Sequence, residues 1–337
     1  MMKKCFCLTV FAFLLAVAAV GQAPANYYNA ANGLTGDQLK VALHNIIKGH
    51  TSISYSQIWN AFWSTDNKGN GVVWDMYSDR PNGNPPYTYH LGTNQCGNYS
   101  GEGDCYNREH SWAQSWFNDQ STPRTDLHHI FATDGFVNQK RSNYPFGEVQ
   151  TAKWTSQNGS KLGSCKTPGY SGTVFEPIDE YKGDFARALM YMSVRYYSED
   201  GSWGNSDMTT KSVIKPWAIN LLLRWNDQDP VSQKEIDRNN AIYNDYQHNR
   251  NPFVDHPEYA RMIWDPSWSV SEQDAANEPK ANRVAVYDLM GRKLMQYDID
   301  NEDEDIVFMK EKLIQGCYII QYIEGNRVIK NKKFLVN

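Results

Sequence analysis

The chain has 337 residues, of which 41% are hydrophobic and 13% aromatic, and its formal net charge is −5. This length supports one large domain or two smaller ones, and the composition excludes a disordered chain. The acidic balance excludes bulk electrostatic attraction to polyanions. A nucleic-acid site in this chain would therefore need a local cluster of cations and a metal ion.

The first 21 residues have the pattern of a secretory signal peptide. Lys3 and Lys4 precede an apolar run, and Ala19, Val20 and Gly21 supply the small residues of a cleavage site. The run is slightly short for a membrane span, and polar sequence follows it at once. We therefore expect a secreted or cell-surface protein whose mature chain has no membrane span.

Four cysteines lie beyond this segment. Cys96 and Cys105 flank the turn-rich sequence GNYSGEGD and are the natural disulfide pair of an exported protein. Closing so short a loop is worth roughly 2–3 kcal/mol in the chain-entropy model. Cys165 and Cys317 have no obvious partners, and the sequence does not predict their pairing.

Apolar spacing of three and four residues predicts a series of helices. They cover residues 36–47, 55–64, 179–197, 209–225 and 231–246. Pro216 either starts or kinks the fourth of these helices. The segments VVWDMYS at 72–78 and DLHHIF at 126–131 are typical of strands.

The composition changes at residues 268–281, which have the character of a linker between domains at 22–267 and 282–337. Short alternating segments follow it, among them DIVFMK at 305–310, and they predict a small β-sandwich. We therefore predict an α+β chain with a mainly helical domain before a β-sandwich.

The sequence NREHSWAQSWF at 107–117 places Glu109 directly before His110. Histidine is the natural general base near neutral pH, and a carboxylate can hold a hard cation such as Mg²⁺. Adjacent residues of a regular strand point to opposite faces, so both can serve one centre only at a strand end or in irregular backbone. Taken alone, the pair is more typical of a packed strand end.

A second segment, DLHHIFATDGFVNQKRSNYPFG at 126–147, places polar side chains near a helix start. Asp134 is expected to cap a short helix that carries Asn138, Lys140 and Arg141. The amide oxygen of Asn138 is a neutral metal ligand, and the two cations could grip a phosphate. The alternative is a capped surface helix with two solvated cations.

Together with NRNPFVDHPEYA at 249–260, these blocks resemble the secreted endonuclease I family of bacterial non-specific nucleases. The resemblance covers roughly residues 36–265. It implies a ββα-metal core of the His-Me finger type, in which a hairpin and a short helix surround one divalent ion. Additional helices would wrap this core.

The resemblance implies a role for each residue that matches a family motif. His110 matches the general base, and Glu109 and Asn138 match two ligands of Mg²⁺, with Mn²⁺ or Ca²⁺ as alternative ions. Arg141 is the first choice for the arginine that holds the scissile or product phosphate. Arg124 lies roughly where the family has an arginine that holds the cleaved phosphate.

Further residues of the same blocks are expected to support the site. Asp126 and one of the two histidines His128 and His129 would hold the ligands in place. His248 stands where the family pattern leads us to expect a glycine, which alters a turn outside the metal residues.

In the implied mechanism, His110 removes a proton from a water that attacks phosphorus in line. The metal ion stabilises the charge that builds on the phosphate and on the leaving 3′ oxygen. No base-reading module is visible, so we expect cleavage of DNA or RNA through backbone contacts, with 5′-phosphate products. The choice between DNA and RNA stays open, and we expect a monomer.

The sequences VAVYDLMGRKL and LIQGCYIIQYIEGNRVIKNKKFLVN, within 282–337, resemble the C-terminal sorting domain of the type IX secretion system of Bacteroidetes. The resemblance implies export through the periplasm and recognition by that secretion machinery. The alternative is an accessory β-sandwich with a binding role.

Other function classes find less support. A zinc hydrolase would need ligand spacing such as HExxH or CxxC, and a serine hydrolase a GxSxG elbow, and the sequence has neither. The remaining alternative is a non-catalytic surface protein that binds glycans through its 11 tryptophans and 21 tyrosines.

Overall fold

A computed structural model describes residues 23–265, 267, 283–288, 292–298, 312–313, 316–324 and 327–336. The chain divides into two compact units between residues 266 and 267. The predicted signal peptide, the linker at 268–281 and the strand at 305–310 lie outside the described residues.

The helices of the first unit surround several small antiparallel sheets. The α-helices are α1 (Gly36–Ile47), α2 (Ile58–Thr65), α3 (Gly135–Arg141), α4 (Lys182–Arg195), α5 (Pro216–Gln228), α6 (Gln233–Ala241), α7 (Pro252–Asp255) and α8 (Tyr259–Trp264). The strands are β1 (Asn67–Gly69), β2 (Val72–Val73), β3 (Tyr106–His110), β4 (Ile130–Asp134), β5 (Val149–Thr155), β6 (Lys161–Cys165), β7 (Thr173–Glu176), β8 (Thr209–Thr210) and β9 (Val213–Ile214). Within the described part of the chain, no helix is long and apolar enough to cross a membrane.

Helix α4 is the centre of the first unit, and every one of its residues is buried. Its charged side chains are therefore paired inside the protein: Arg187 binds Glu235 of α6, and Lys234 of α6 binds Asp184 at 2.5 Å. The amphipathic helix α1 packs on it through an apolar stripe that includes Leu39, which is buried. The apolar periodicity of both segments predicted these helices correctly.

Two segments differ from the prediction. The strand predicted at 72–78 ends at Val73, because the Asp75 carboxylate accepts a hydrogen bond from the Tyr77 backbone N–H at 2.8 Å and closes a turn. The helix predicted at 209–225 begins at Pro216, preceded by the β8–β9 hairpin. Proline disfavours helical backbone at the residue before it, and Lys215 is accordingly extended.

The predicted strand at 126–131 is also only partly correct. Residues Leu127–His129 form a 3-10 turn, because the Asp126 carboxylate accepts the His128 backbone N–H at 3.1 Å. Strand β4 begins at Ile130 and pairs with β3 in antiparallel register, with His110 opposite Ile130.

Helix α3 follows β4 without a loop. The predicted cap is confirmed, since Asp134 Oδ1 accepts the Val137 backbone N–H at 2.7 Å. The predicted disulfide between Cys96 and Cys105 is also confirmed, and it lies directly before β3. Cys165 is a buried free cysteine, whereas the side chain of Cys317 is not described.

The second unit contains β10 (Arg283–Asp288), β11 (Lys293–Asp298), β12 (Gly316–Glu324) and β13 (Arg327–Val336). These described strands form one antiparallel sheet in the order β11-β10-β12-β13. Val284, Val286 and Ile320 are buried on it, and the intervening Ala285 is buried as well. The helices and antiparallel sheets of the described residues are consistent with the α+β class, and the β-sandwich remains a prediction.

Candidate active site

Strand β3 ends at the residue that sequence reasoning selected as the base. His110 is the last residue of β3, and the backbone N–H of Ser111 already turns to the carbonyl of His129, at 3.0 Å. Glu109 and His110 are both buried. The pair therefore stands at a strand end, which is one of the two conditions under which adjacent residues can serve one centre.

The His110 imidazole is held by one nitrogen. Its Nε2 lies 3.1 Å from the carbonyl oxygen of Arg124, and Nδ1 is buried without a hydrogen-bond partner among the described residues. Burial lowers the pKa of His110 to about 3, and the neighbouring His129 acts in the same direction. The ring is therefore neutral at pH 7. Because a carbonyl only accepts hydrogen bonds, the proton of the neutral ring resides on Nε2, and Nδ1 is the unprotonated nitrogen.

His129 supports this arrangement, whereas His128 lies elsewhere. The His129 ring centroid is 5.5 Å from that of His110, and its Nε2 contacts the Pro123 carbonyl at 2.7 Å. His128 packs instead on Tyr191 of α4, with ring centroids 4.5 Å apart. Asp126 precedes both histidines in sequence, and its Oδ2 accepts a hydrogen bond from the Tyr191 hydroxyl at 2.9 Å.

One carboxylate oxygen of the buried Glu109 side chain contacts two hydrogen-bond donors. The Tyr77 hydroxyl donates to Glu109 Oε1 at 3.1 Å, and Arg141 Nη1 lies 3.2 Å from the same atom. Burial raises the pKa of the Glu109 carboxyl, although Arg141 and Tyr77 oppose that shift. The second oxygen, Oε2, has no hydrogen bond within the described part of the chain and is available to a cation.

Arg141 is fully enclosed behind Glu109. Its Nη1 donates to the carbonyl of His110 at 2.8 Å and its Nη2 to the carbonyl of Ser111 at 2.6 Å. The guanidinium also lies 4.6 Å from the ring centroid of Phe146. Through these contacts the Arg141 side chain fixes the end of β3 and Glu109. Arg141 is only 1% exposed.

Asn138 of α3 is oriented by its amide nitrogen. Nδ2 donates to the carbonyl of Arg108 at 3.3 Å, which leaves Oδ1 as a neutral oxygen donor. Among the described residues, no group of three His, Cys, Asp or Glu side chains is arranged to hold a metal ion. Glu109 and Asn138 suit Mg²⁺ because this ion usually keeps several waters and takes only one or two protein carboxylates.

A shallow cleft opens beside His110. It is lined by Ser52, Ile53, Ser54, Tyr55, Ser121, Thr122, Arg124 and Thr125. Arg124 is half-buried there, and its Nε donates to Gln114 Oε1 at 3.0 Å. The structure thus brings the Arg124 carbonyl next to His110 and places the Arg124 side chain in the cleft.

The sequence gives no role at the site to three side chains that the structure places beside it. They are Tyr77, which contacts Glu109, and Tyr55 and Arg108, which contact each other near His110. Tyr77 was assigned to a strand, and Tyr55 to a helix with no role. Arg108 is the one with a local signal, because it directly precedes Glu109 in the NREH sequence.

The sequence of the first unit matches the model of a known family, Endonuclease I, over residues 35–258. The chain belongs to the Endonuclease I family. The extracellular ribonuclease of Bacillus amyloliquefaciens is 42% identical over 250 residues, which cover 71% of this chain and 78% of that protein. The extracellular ribonuclease of Bacillus subtilis (strain 168) is 41% identical over 248 residues, with the same coverage. Endonuclease-1 of Buchnera aphidicola is 29% identical over 131 residues, 39% of this chain and 46% of that protein.

Membership of this family confirms the resemblance that the three sequence blocks carry. The chain is therefore a nuclease of the hydrolase class. Two of its relatives are named as extracellular enzymes.

Proposed function

We propose that this protein is an exported, Mg²⁺-dependent endonuclease that cleaves phosphodiester bonds with little sequence preference. The observation that carries this proposal is the geometry of His110 in a chain of the Endonuclease I family: its Nε2 lies 3.1 Å from the Arg124 carbonyl oxygen, and its buried Nδ1 has no hydrogen-bond partner among the described residues. An unprotonated Nδ1 is the group that a general base requires.

His110 is the base in the proposed reaction. Nδ1 accepts a proton from a water molecule, and the water oxygen forms a bond to phosphorus as the bond from phosphorus to the 3′ oxygen breaks. The Arg124 carbonyl holds the imidazolium through Nε2 while it carries the extra proton. The products are a 5′ phosphate and a 3′ hydroxyl, the latter completed by a proton from solvent.

Glu109 Oε2 and Asn138 Oδ1 are the proposed ligands of the metal ion. A divalent cation, when bound, supplies positive charge that stabilises the charge developing on the phosphate and the leaving oxygen. Tyr77 and Arg141 hold the Glu109 carboxylate from its other oxygen, so the free oxygen has a fixed direction.

Arg124 is the better candidate for the phosphate contact. Both Arg124 and Arg141 match that role by sequence, but Arg141 is enclosed and bonded to Glu109 and two carbonyls. Arg124 lines the open cleft beside His110. We therefore assign Arg141 to positioning Glu109.

RNA is the substrate that the comparisons favour, since two relatives are named extracellular ribonucleases. We propose that RNA is cleaved and that DNA is a second substrate. We also propose that the protein acts as a monomer and that residues 282–337 direct its export through the type IX secretion system. The antiparallel sheet of the second unit is compatible with such a sorting domain.

The proposal is tested by removing and restoring the metal ion. The chain without residues 1–21 is incubated with folded RNA and with supercoiled plasmid, in Mg²⁺, Mn²⁺, Ca²⁺ or EDTA. We expect cleavage in Mg²⁺, none in EDTA, and full recovery when Mg²⁺ is added back. The 5′ ends should accept label from polynucleotide kinase only after phosphatase treatment.

Cleavage that continues in EDTA would contradict the metal-dependent mechanism. A folded, Mg²⁺-loaded chain that cuts neither polymer would overturn the proposal as a whole and favour glycan binding.

A further inference from the structure

Two arginines beside the candidate active site have no acidic partner among the described residues. The guanidinium of Arg108 lies 3.7 Å from the ring centroid of Tyr55 and 4.3 Å from that of Trp59. The guanidinium of Arg124 lies 4.2 Å from the same Tyr55 ring. In an acidic protein, two cations that contact the same tyrosine ring and have no ion pair with a described residue form a local site for a polyanion.

Aromatic residues continue from this pair of cations along α2. Tyr55 lies in the turn before the helix, and Trp59 and Trp63 follow at intervals of four residues, which places the two tryptophans on one face. Trp63 is 50% exposed. Its ring packs on the backbone of Gly71 and Gly92, where an added Cβ would approach it to 3.4 and 3.5 Å.

This row begins at the proposed base. The ring of Tyr55 is 6.2 Å from the imidazole of His110 and inclined to it by only 26°. Tyr55 and Arg124 also line the same cleft. From Trp59 to Trp63 the helical rise is about 6 Å, and Tyr55 lies one turn of chain before Trp59, so the row has a length that a few nucleotides of an extended strand can follow.

We infer that Tyr55, Trp59, Trp63, Arg108 and Arg124 form a track for single-stranded nucleic acid, which leads away from His110. This inference rests on the proposed nuclease function and specifies its substrate class as RNA or DNA with unpaired bases. Tyr55 and Trp59 hold the two guanidinium groups that contact phosphates. Trp63 presents the ring on which an unpaired base stacks.

Charge and geometry distinguish this occupant from two others. A glycan also stacks on exposed tryptophan, but a neutral glycan has no charge for Arg108 and Arg124 to attract. A duplex presents phosphates to the arginines, but its bases are already stacked and cannot cover Trp63. Base stacking on an aromatic ring is largely independent of sequence, as expected for a non-specific nuclease.

Binding to labelled oligonucleotides tests the track without any cleavage. The His110→Ala chain is titrated with a fluorescent single strand and with the same sequence as a blunt duplex. Trp63→Ala should weaken single-strand binding about five- to 150-fold, the range for loss of one stacked base, and leave duplex binding unchanged. Trp63→Phe should restore most of the affinity.

Trp217→Ala is the matched control. Trp217 is a half-buried tryptophan that stacks on Tyr170, with ring centroids 4.7 Å apart, and we expect its replacement to leave single-strand binding unchanged. If His110→Ala does not fold, the wild-type chain in EDTA serves for the same titrations.

The outcomes separate the track from the chemistry. A wild type that cleaves RNA, with single-strand affinity unchanged by Trp63→Ala, would overturn the track and leave the nuclease mechanism intact. If Trp63→Ala weakens single-strand binding but the wild-type chain does not cleave RNA or DNA in Mg²⁺, the track is supported and the proposed chemistry is refuted. Tighter binding to duplex than to single strand, or binding to neutral glycan alone, would also overturn the track.

Discussion

His110 and His129 share one hydrogen-bond pattern but differ in access. Each presents Nε2 to a carbonyl of the segment at 123–124, and neither Nδ1 has a hydrogen-bond partner in the part of the chain that the structure describes. His129 is completely buried, whereas His110 retains 4% exposure and lies against Tyr55, which lines the open cleft. Of the two rings, His110 is therefore the one that adjoins a residue of the open cleft, which supports His110 as the proposed base.

The structure also separates two roles that arginine can play in a nuclease. An arginine that grips a phosphate must reach solvent, whereas one that neutralises a buried carboxylate must not. Arg141 meets the second description, since it is 1% exposed and lies 3.2 Å from Glu109 Oε1.

Replacing Arg141 tests the positioning role. Arg141→Met leaves Glu109 as an unpaired buried charge, so we expect the free energy of unfolding to fall by about 3–5 kcal/mol. Arg141→Lys keeps the charge but loses the paired hydrogen bonds to two carbonyls. Its free energy of unfolding should lie between those of wild type and Arg141→Met. Chemical denaturation of the metal-free chains measures both. An Arg141→Met chain of wild-type stability with a raised KM for RNA would instead indicate a phosphate contact.

At the scale of elements, the site depends on the antiparallel pair β3–β4 and on helix α3, which follows it directly. Asp134 ends β4 and caps α3, and the capping bond places Asn138 one turn into the helix. The disulfide between Cys96 and Cys105 constrains the chain just before β3. The Cys105 carbonyl accepts the Gly135 backbone N–H at 2.9 Å, so the start of β3 is joined to the start of α3.

Local rules predicted these features because each depends on neighbouring residues. The Asp134 cap, the short disulfide loop and helix α1 all have signals within one or two turns of chain. The strand predicted at 126–131 was partly wrong for a local reason too, since Asp126 offers the His128 N–H a partner that a ladder would not. His248 has φ of +59°, which explains why a glycine was expected at that position.

The contacts that tune the site were beyond sequence reasoning. Tyr77 reaches Glu109 from 32 residues away, and Tyr55 and Arg108 are separated by 53. Such pairs depend on how α2 and the turn after β2 pack against β3, and no pattern within either segment specifies that packing. The motif therefore names the candidate residues, but not the contacts that hold them.

The whole molecule is acidic, yet its proposed substrate is a polyanion. The formal charge of −5 means that binding must come from the few local cations and the metal ion, not from the surface as a whole. This balance has a direct consequence for the effect of salt on affinity.

Salt dependence of binding counts the phosphates that the protein contacts. With Arg108 and Arg124 as two contacts, the slope of log affinity against log salt for a single strand should be about −1.4. Arg108→Gln should reduce its magnitude by about 0.7. Arg80→Gln is the control, because exposed Arg80 donates to the Gln157 carbonyl and lies outside the track. Titration of the His110→Ala chain at several salt concentrations measures the slope, and a much steeper one would point to a broad basic surface.

The measurement that tests the central claim most directly is single-turnover cleavage of labelled RNA by wild type and by His110→Ala, both at saturating Mg²⁺. Loss of the general base should slow the chemical step by roughly 10²–10⁴-fold, and added imidazole should restore part of the rate. Thermal unfolding of the variant verifies that it is folded, and His90→Ala, at an exposed histidine, should cleave like wild type. A folded His110→Ala chain that cleaves RNA at the wild-type rate would contradict the account.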